Sequence, residues 1–334
     1  MTGVMREVHA LKICAAPVWF LAAASFEPRS VRGATLLSPK SIERSLVFQY
    51  EDTLDSAAGA KNTRDLRRSL EIASSLVDVL PCRYQDPGGV VRLLKRWANH
   101  NGDPAPAGVV LDVTCFTKLH LVMLLLHLVH TYPQAKLTIM YSEPLGYATD
   151  FGKDLSHGVR ETLYFPLVAG GGASSERVGL VILLGHEQTR AVRVIEELEP
   201  EEIILLVGRH GFSAEMARIS ERKHRHLLNR ARYESFLRVA DCSTVDYTEV
   251  ARTLLRSLED LGSRSVNTVY VAPLGTKLQA LGLVWVALHP PAVALRLAYP
   301  MPAYYEKRLY SHGVGRTFVG EPNLSTPIPP VAAA

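Results

Sequence analysis

One pattern occurs twice in this chain and limits what it can fold into. The stretches "VLDVTCFTKLHLVMLLLHLVH" (Val110 to His130) and "VYVAPLGTKLQALGLVWVALH" (Val269 to His289) each read as a short apolar strand, a tight loop and a helix opening at Thr-Lys-Leu. Thr117 and Thr276 stand 159 residues apart, and Leu124 with Leu283 and His130 with His289 keep that spacing. With one deletion the next strands align as Tyr-x-x-Pro-x-x-Tyr, Tyr141 to Tyr147 against Tyr299 to Tyr305. Upstream, "FLAAASFEPRSVR" matches "VILLGHEQTRAVR", a strand followed by Glu27 or Glu187 and then Arg29 or Arg190. "SLVFQYED" then matches "IILLVGRHG". Four correspondences in one order point to an internal duplication with copies of domain size.

Within each copy, apolar runs alternate with helical periods. Strands are expected near 17–24, 45–50, 108–113 and 136–142, and near 178–184, 201–207, 267–272 and 293–299. Helices are expected near 28–37, 62–80, 88–99 and 117–131, and near 187–198, 213–238, 246–261 and 277–289. The strands lack clean alternation, as strands of a parallel sheet covered on both faces do. The expected fold class is therefore α/β, two Rossmann-like halves with mainly parallel sheets and right-handed crossovers. The first half is placed at 1–160, a linker at 161–177, the second half at 178–310 and a Pro-rich tail at 311–334. The linker carries Gly-Gly-Gly-Ala-Ser-Ser and reads as flexible, the tail reads as extended or mobile, and "NHNGDPAPAG" reads as a polar surface loop.

A chain of 334 residues with 47% hydrophobic and 21% charged residues has room for two cores. Its formal charge of +4 suits an anionic ligand but is too small to argue alone for nucleic acid. Cys14, Cys82, Cys115 and Cys242 are scattered, with no C-x-x-C, which fits a reduced, cytoplasmic protein. "MREVHALKICAAPVWFLAAASFEP" has the features of a secretory leader, but the duplication gives "VWFLAAASFE" the place of an internal strand. No apolar run reaches the ~20 residues a membrane helix requires, so no membrane partner is expected.

Ligands of a doubly wound sheet bind beyond the carboxyl ends of the strands, where strand order reverses. In the first half the residues leaving those strands are Ser25, Phe26, Glu27 and Arg29 with Asp112, Thr114, Thr117 and Lys118. In the second they are Gly185, His186, Glu187 and Arg190 with Leu274, Gly275, Thr276 and Lys277. Free N–H groups at a helix start attract anions, and a threonine and a lysine add a donor and a charge. Gly275 lets the chain turn tightly. Thr276 reads equally well as a helix cap and Lys277 as a solvated side chain.

Neither copy is a phosphate-binding P-loop, and no Gly-x-Gly-x-x-Gly follows a strand, so no dinucleotide cofactor is expected. Glu27 and Glu187 are the only acids at matching strand ends, either as general acid–base groups or as partners of Arg29 and Arg190. Cys115, near Lys118, reads either as an activated thiol or as a buried structural one. His224 and His226 sit two apart on a helix, and "HEQTR" lacks a second histidine, so no metal site is expected. The helix "SAEMARISERKHRHLLNRARYESFLR" puts Arg218, Arg222 and Arg225 on one face. That face reads as solvated, as a wall of the anion cleft, or as a surface for RNA or a partner protein.

The strand followed by "PLGTKLQALG" resembles the C-terminal motif of CRISPR-associated Rossmann-fold (CARF) sensor domains, where a strand ends in a Gly-Thr-Lys-type loop that opens a helix. The resemblance implies a dimeric or pseudodimeric Rossmann sheet holding a cyclic oligoadenylate across a two-fold axis, with slow cleavage in some members. It implies ligand contacts from Thr276 and Lys277, and from Thr117 and Lys118 in the duplicated half. It covers 267–289 and otherwise only the architecture. Pro273-Leu274 replaces the family's small residues before Gly-Thr-Lys, and Cys115-Phe116 interrupts the first copy.

Three functional readings follow. The first is a sensor of a nucleotide-like or other phosphate-bearing anion, in antiviral defence by the family analogy, acting on a separate effector protein. Its two halves would supply a pseudo-two-fold, with or without a homodimer. The second is an enzyme acting on a nucleotide or sugar phosphate, with Glu27 or Glu187 as acid–base. The third is an interaction subunit that uses the basic helix and the Pro-rich tail. None of the three requires a metal or a cofactor.

Overall fold

The computed structural model describes residues 5–12, 17–51, 56–99, 105–147, 154–168, 177–211, 214–289, 292–305 and 310–328. Along the chain run β1 (Arg6–Glu7), β2 (Val18–Ala24), β3 (Ile42–Tyr50), α1 (Ser56–Ala73), β4 (Ser74–Cys82), α2 (Gly89–Asn99), β5 (Gly108–Asp112), α3 (Lys118–Thr131), β6 (Lys136–Ser142) and β7 (Gly146–Tyr147). There follow β8 (Ser156–Val168), β9 (Val178–Leu183), α4 (Gln188–Leu198), β10 (Glu202–His210), α5 (Ala214–Lys223), α6 (Arg225–Arg230), β11 (Leu237–Ser243) and α7 (Tyr247–Ser263). The last elements are β12 (Thr268–Pro273), α8 (Lys277–Leu288), β13 (Ala294–Tyr305), β14 (Ser311–His312) and β15 (Thr317–Gly320). The chain divides into two compact units, one built on Met5–Thr149 and Tyr305–Ser325, the other on Asp150–Tyr304 and Thr326–Ala334.

The first unit holds a sheet of order β1-β15-β6-β5-β2-β3-β4. Its five strands from β6 to β4 are parallel, and β15 and β1 add antiparallel edges. The second unit holds β11-β10-β9-β12-β13-β8, parallel from β11 to β13. Numbered within each unit, the five parallel strands run 3-2-1-4-5 in both. That is a Rossmann-like doubly wound order, reversing direction between the first and fourth strands. Both sheets then carry a further strand beside the fifth. In the second unit that strand is β8, which follows β6 in the chain; in the first it is β15, which follows β13. Each unit's sheet is thus extended by the segment that leaves the other unit's fifth strand, the same connection used in both directions.

The cores follow from the burial of β2 and β9. Phe20, Ala22, Val47 and Val110 pack with Leu66 and Leu70 of α1 in the first unit. Leu180, Ile182 and Leu205 pack with Ala191 and Val194 of α4 in the second. "VWFLAAA" is wholly buried in the interior of its sheet, the place the duplication assigned to it. α3 and α8 are apolar almost all round, as helices inside a core are. α8 approaches α7 closely at Gly282, where a Cβ would lie 2.6 Å from Val250 and 2.9 Å from the Tyr247 carbonyl. Among the described residues no helix is long and apolar enough to cross a membrane.

Several sequence expectations are corrected. The helix expected at 28–37 is two 3₁₀ turns, Pro28–Val31 and Ala34–Leu36. The helix expected at 62–80 stops at Ala73, and the chain runs directly into β4; that expected at 213–238 gives way to β11 at Leu237. Both missed strands are third strands at a sheet edge. They mix polar and apolar residues and have no Gly or Pro between them and the helix before, so they read as its continuation. Residues 161–168 of the expected linker are strand β8, while 169–176, with the Gly-Gly-Gly-Ala-Ser-Ser, lie outside the described residues. Thr317–Gly320 in the expected tail is a buried strand. Of the "NHNGDPAPAG" loop, 100–104 lie outside the described residues.

Candidate functional site

The strand-order reversal lies between β2 and β5 in the first unit and between β9 and β12 in the second. The loops leaving these four carboxyl ends carry the residues singled out from the sequence. Their side chains form two groups with different surroundings.

Glu27 and Glu187 are each 5% exposed and ion-paired. Arg29 donates from Nε to Glu27 Oε2 at 2.8 Å and from Nη1 to the Ser142 carbonyl at 3.1 Å. Arg190 donates from Nη1 to Glu187 Oε2 at 2.5 Å and from Nε to the Pro300 carbonyl at 2.7 Å. Ser142, the last residue of β6, and Pro300, within β13, each stand one residue beyond the repeated tyrosines. The two guanidinium groups lie 6.0 Å from the Tyr141 ring and 5.0 Å from the Tyr299 ring. Burial pushes the Tyr141 hydroxyl above its ordinary range, so it stays neutral beside the pair. Each glutamate also accepts a serine hydroxyl: Glu27 from Ser311 at the start of β14, Glu187 from Ser156 at the start of β8. Of the two roles the sequence left open for the glutamates, pairing with arginine is the one their side chains adopt. Arg29 and Arg190, expected to bind ligand, are buried, at 4% and 1% exposure.

The serines expose a repeat that the sequence reading passed over. Ser-His-Gly-Val occurs at 156–159 and again at 311–314. Both glycines take left-handed backbone angles, φ +56° at Gly158 and +67° at Gly313, a conformation glycine adopts without steric penalty. Glu, Arg, Tyr and Ser thus form a clasp that recurs in both units and holds the start of the segment arriving from the other fifth strand. A search for short repeats at a spacing near 155 finds this signal.

The Thr-Lys loops form the second group. Thr117 caps α3, its Oγ1 accepting from His120 N at 3.2 Å, and its own N–H donates to the Tyr50 hydroxyl at 3.3 Å. Thr276 caps α8 with a full capping box: its Oγ1 accepts from Gln279 N at 3.2 Å, and its N–H donates to Gln279 Oε1 at 2.8 Å. The Thr276 hydroxyl also donates to the Thr244 carbonyl at 2.7 Å. Lys118 and Lys277, the first residues of these helices, are half-buried. Gly275 does not need a left-handed angle; it is required because a Cβ there would lie 1.8 Å from Gln279 Oε1.

His120 and Gln279 hold equivalent third positions in the two helices, and both are fully buried. His120 bonds the Tyr50 hydroxyl at 2.7 Å and the Asp86 carbonyl at 2.8 Å, and burial lowers its pKa to about 4. Gln279 reaches Cys242 Sγ at 3.8 Å; burial pushes that thiol up to about 12. Cys82, Cys115 and Cys242 are buried and form no disulfide among the described residues, and Cys14 lies outside them. Cys115 donates to Glu27 Oε1 at 3.9 Å, which joins the loop after β5 to that after β2.

In the second unit much of the reversal point is already filled by protein. A Cβ on Gly185 would stand 2.0 Å from the Leu274 carbonyl, so the loops after β9 and β12 touch backbone to backbone. The N-terminus of α4, where a doubly wound fold offers N–H groups to phosphate, is taken by Asp154. Its carboxylate accepts from Gln188 N at 3.1 Å and Thr189 N at 2.9 Å. Helix α5 is fastened over the same loop by Ser220 Oγ to the Gly185 carbonyl at 2.5 Å and Lys223 Nζ to the His186 carbonyl at 3.0 Å. In the first unit a cavity of about 260 Å³ opens at the ends of β3 and β4, lined by Glu51, Asp86, Arg83, Arg92 and Arg96 among others. His120 links it to the Thr117 cap through the Asp86 carbonyl. Among the described residues no group of three or more His, Cys, Asp or Glu could hold a metal ion. No protein-family model matches this chain, and no curated protein matches it.

Proposed function

We propose that this protein binds a nucleotide-like, phosphate-bearing ligand at its two Thr-Lys loops and acts as a CARF-like sensor. One observation carries the reading: in both units the dipeptide opens the helix after the fourth strand, at the point where strand order reverses. A doubly wound sheet offers its ligand site there. The threonines are occupied as caps, so they set the helix start, and Lys118 and Lys277 supply the charge toward the ligand. The cavity at the ends of β3 and β4 sets Arg83, Arg92 and Arg96 against Glu51 and Asp86, a small positive excess at the same sheet edge. In this reading Glu27, Glu187, Arg29 and Arg190 act as buried ion pairs rather than as ligand contacts. By analogy with the family, the ligand is a cyclic oligonucleotide, and the output passes to a separate effector in antiviral defence.

The test is a thermal-shift screen of the full chain against AMP, ATP, cyclic di-adenylate and cyclic tetra-adenylate, repeated on Lys118→Ala/Lys277→Ala. A ligand at 100 times its dissociation constant adds about 2.7 kcal/mol. A shift in wild type that the double variant loses supports the paired loops. Absence of a shift with every probe, or a shift the variant retains, overturns the reading.

A further inference from the structure

α5 and α6 with the turn after them carry Arg218, Arg222, Arg225, Asn229 and Arg232, spaced 4, 3, 4 and 3 residues apart. That spacing follows one helical face, and all five residues are exposed. The opposite face is anchored: Ile219, Ser220, His224 and Leu227 are buried, and His224 Nε2 bonds the Gly185 carbonyl at 3.1 Å. The stripe therefore has a firm backing.

Its charge is unmatched. Several other arginines of this unit find carboxylates, as Arg193 does with Glu197, Arg209 with Glu221, Arg230 with Glu234 and Arg264 with Asp260. Among the described residues Arg218, Arg222, Arg225 and Arg232 have no such partner. Of the acids near the stripe, Glu221 and Glu234 are already neutralised by Arg209 and Arg230, while Glu215, one turn before Arg218, sets one negative charge against the four positive ones. At the end of the stripe Tyr233 is 88% exposed, the most exposed of the described large apolar and aromatic side chains.

We infer that this face binds single-stranded nucleic acid, with Arg218, Arg222 and Arg225 on successive phosphates, Arg232 on a further one and Tyr233 stacking on an unpaired base. Arginines one helical turn apart advance about 5–6 Å along the axis, a repeat that suits an extended phosphate backbone. An exposed ring is of use to an unstacked base and of none to a closed duplex. A membrane-surface helix would need exposed Leu, Phe or Trp for insertion, and the described residues of this face carry none. The inference is independent of the Thr-Lys loops.

The experiment is fluorescence anisotropy of the full chain with labelled U20 RNA and dT20 DNA, and with a 20-base-pair duplex, at 50 to 200 mM salt. Four neutralised phosphates give a log–log salt slope of about −2.8 for a single strand, close to a 50-fold loss of affinity over that range. Replacing the four arginines by glutamine should flatten the slope toward zero, and Tyr233→Ala should weaken binding at least about fivefold. RNA above DNA, or the two alike, identifies the strand and supports the inference either way. It is overturned if neither strand binds at 50 mM salt, if the duplex binds more tightly, if polyglutamate competes as well as U20, or if the arginine or the tyrosine variant binds as wild type does.

Discussion

Replacing Glu187 by glutamine isolates what the clasp contributes to the second unit. Arg190 is 1% exposed, and its guanidinium lies between Glu187 Oε2, the Pro300 carbonyl and the Tyr299 ring. Removing the partner charge takes from this buried guanidinium the carboxylate to which its Nη1 donates. Breaking a buried pair from one side costs about 3–5 kcal/mol, and because glutamine keeps the shape we expect the lower end, about 3 kcal/mol. With a urea slope near 2 kcal/mol per molar, the midpoint of this unit falls by about 1.5 M. Hydrogen exchange read by mass spectrometry separates the units: peptides from β9, β12 and β13 should lose protection, while those from β2 and β5 hold theirs. Glu187→Met/Arg190→Met should recover much of the loss, because an apolar pair leaves no uncompensated charge. A Glu187→Gln protein whose β9 and β13 peptides stay within about 0.5 kcal/mol of wild type refutes the clasp and returns the carboxylate to acid–base chemistry.

Three further outcomes are expected. His120 has a folded-state pKa of about 4 against an ordinary 6.5, so the stability it carries is complete above pH 6.5 and lost as pH falls toward 4. Between pH 7.5 and 5 the first unit should lose about 2 kcal/mol in urea melts, and His120→Gln, which installs the residue of the second copy, should remove that dependence. Gly185→Ala places a Cβ 2.0 Å from the Leu274 carbonyl; since backbone must move, it should cost about 1–3 kcal/mol by chemical denaturation, and a neutral result would refute the close contact of the two loops. Asp154→Ala uncaps α4 and should cost about 1 kcal/mol in thermal melting, with Asn restoring most of it; equal loss in both variants would show that the cap is not what Asp154 provides.

Much of the fold is legible in the sequence, because the information is local and repeated. The apolar runs at 17–24, 108–113, 178–184 and 267–272 become the central strands β2, β5, β9 and β12, since a strand buried on both faces must be apolar throughout. The Thr-Lys helix starts are also legible, since a cap is written in three or four adjacent residues. Edge strands are not: β4, β8 and β11 are half-solvated, so their composition differs little from that of a helix surface or a linker. The repeated Glu, Arg and Tyr could be found as letters, but their roles could not. Glu27 meets Ser311 across 284 residues of chain, and no local pattern encodes that approach.

The sequence by itself therefore determined a duplicated α/β protein with two Thr-Lys helix starts, because strand burial, helix period and capping are short-range properties of the chain. Tertiary structure alone decided that each sheet is completed by the segment leaving the other sheet's fifth strand. It also decided that the paired glutamates and arginines are buried clasps for those segments, and that Asp154 occupies the start of α4. Each of these depends on which distant groups fold against a charge, and a buried charge is held in place only by partners that the fold delivers.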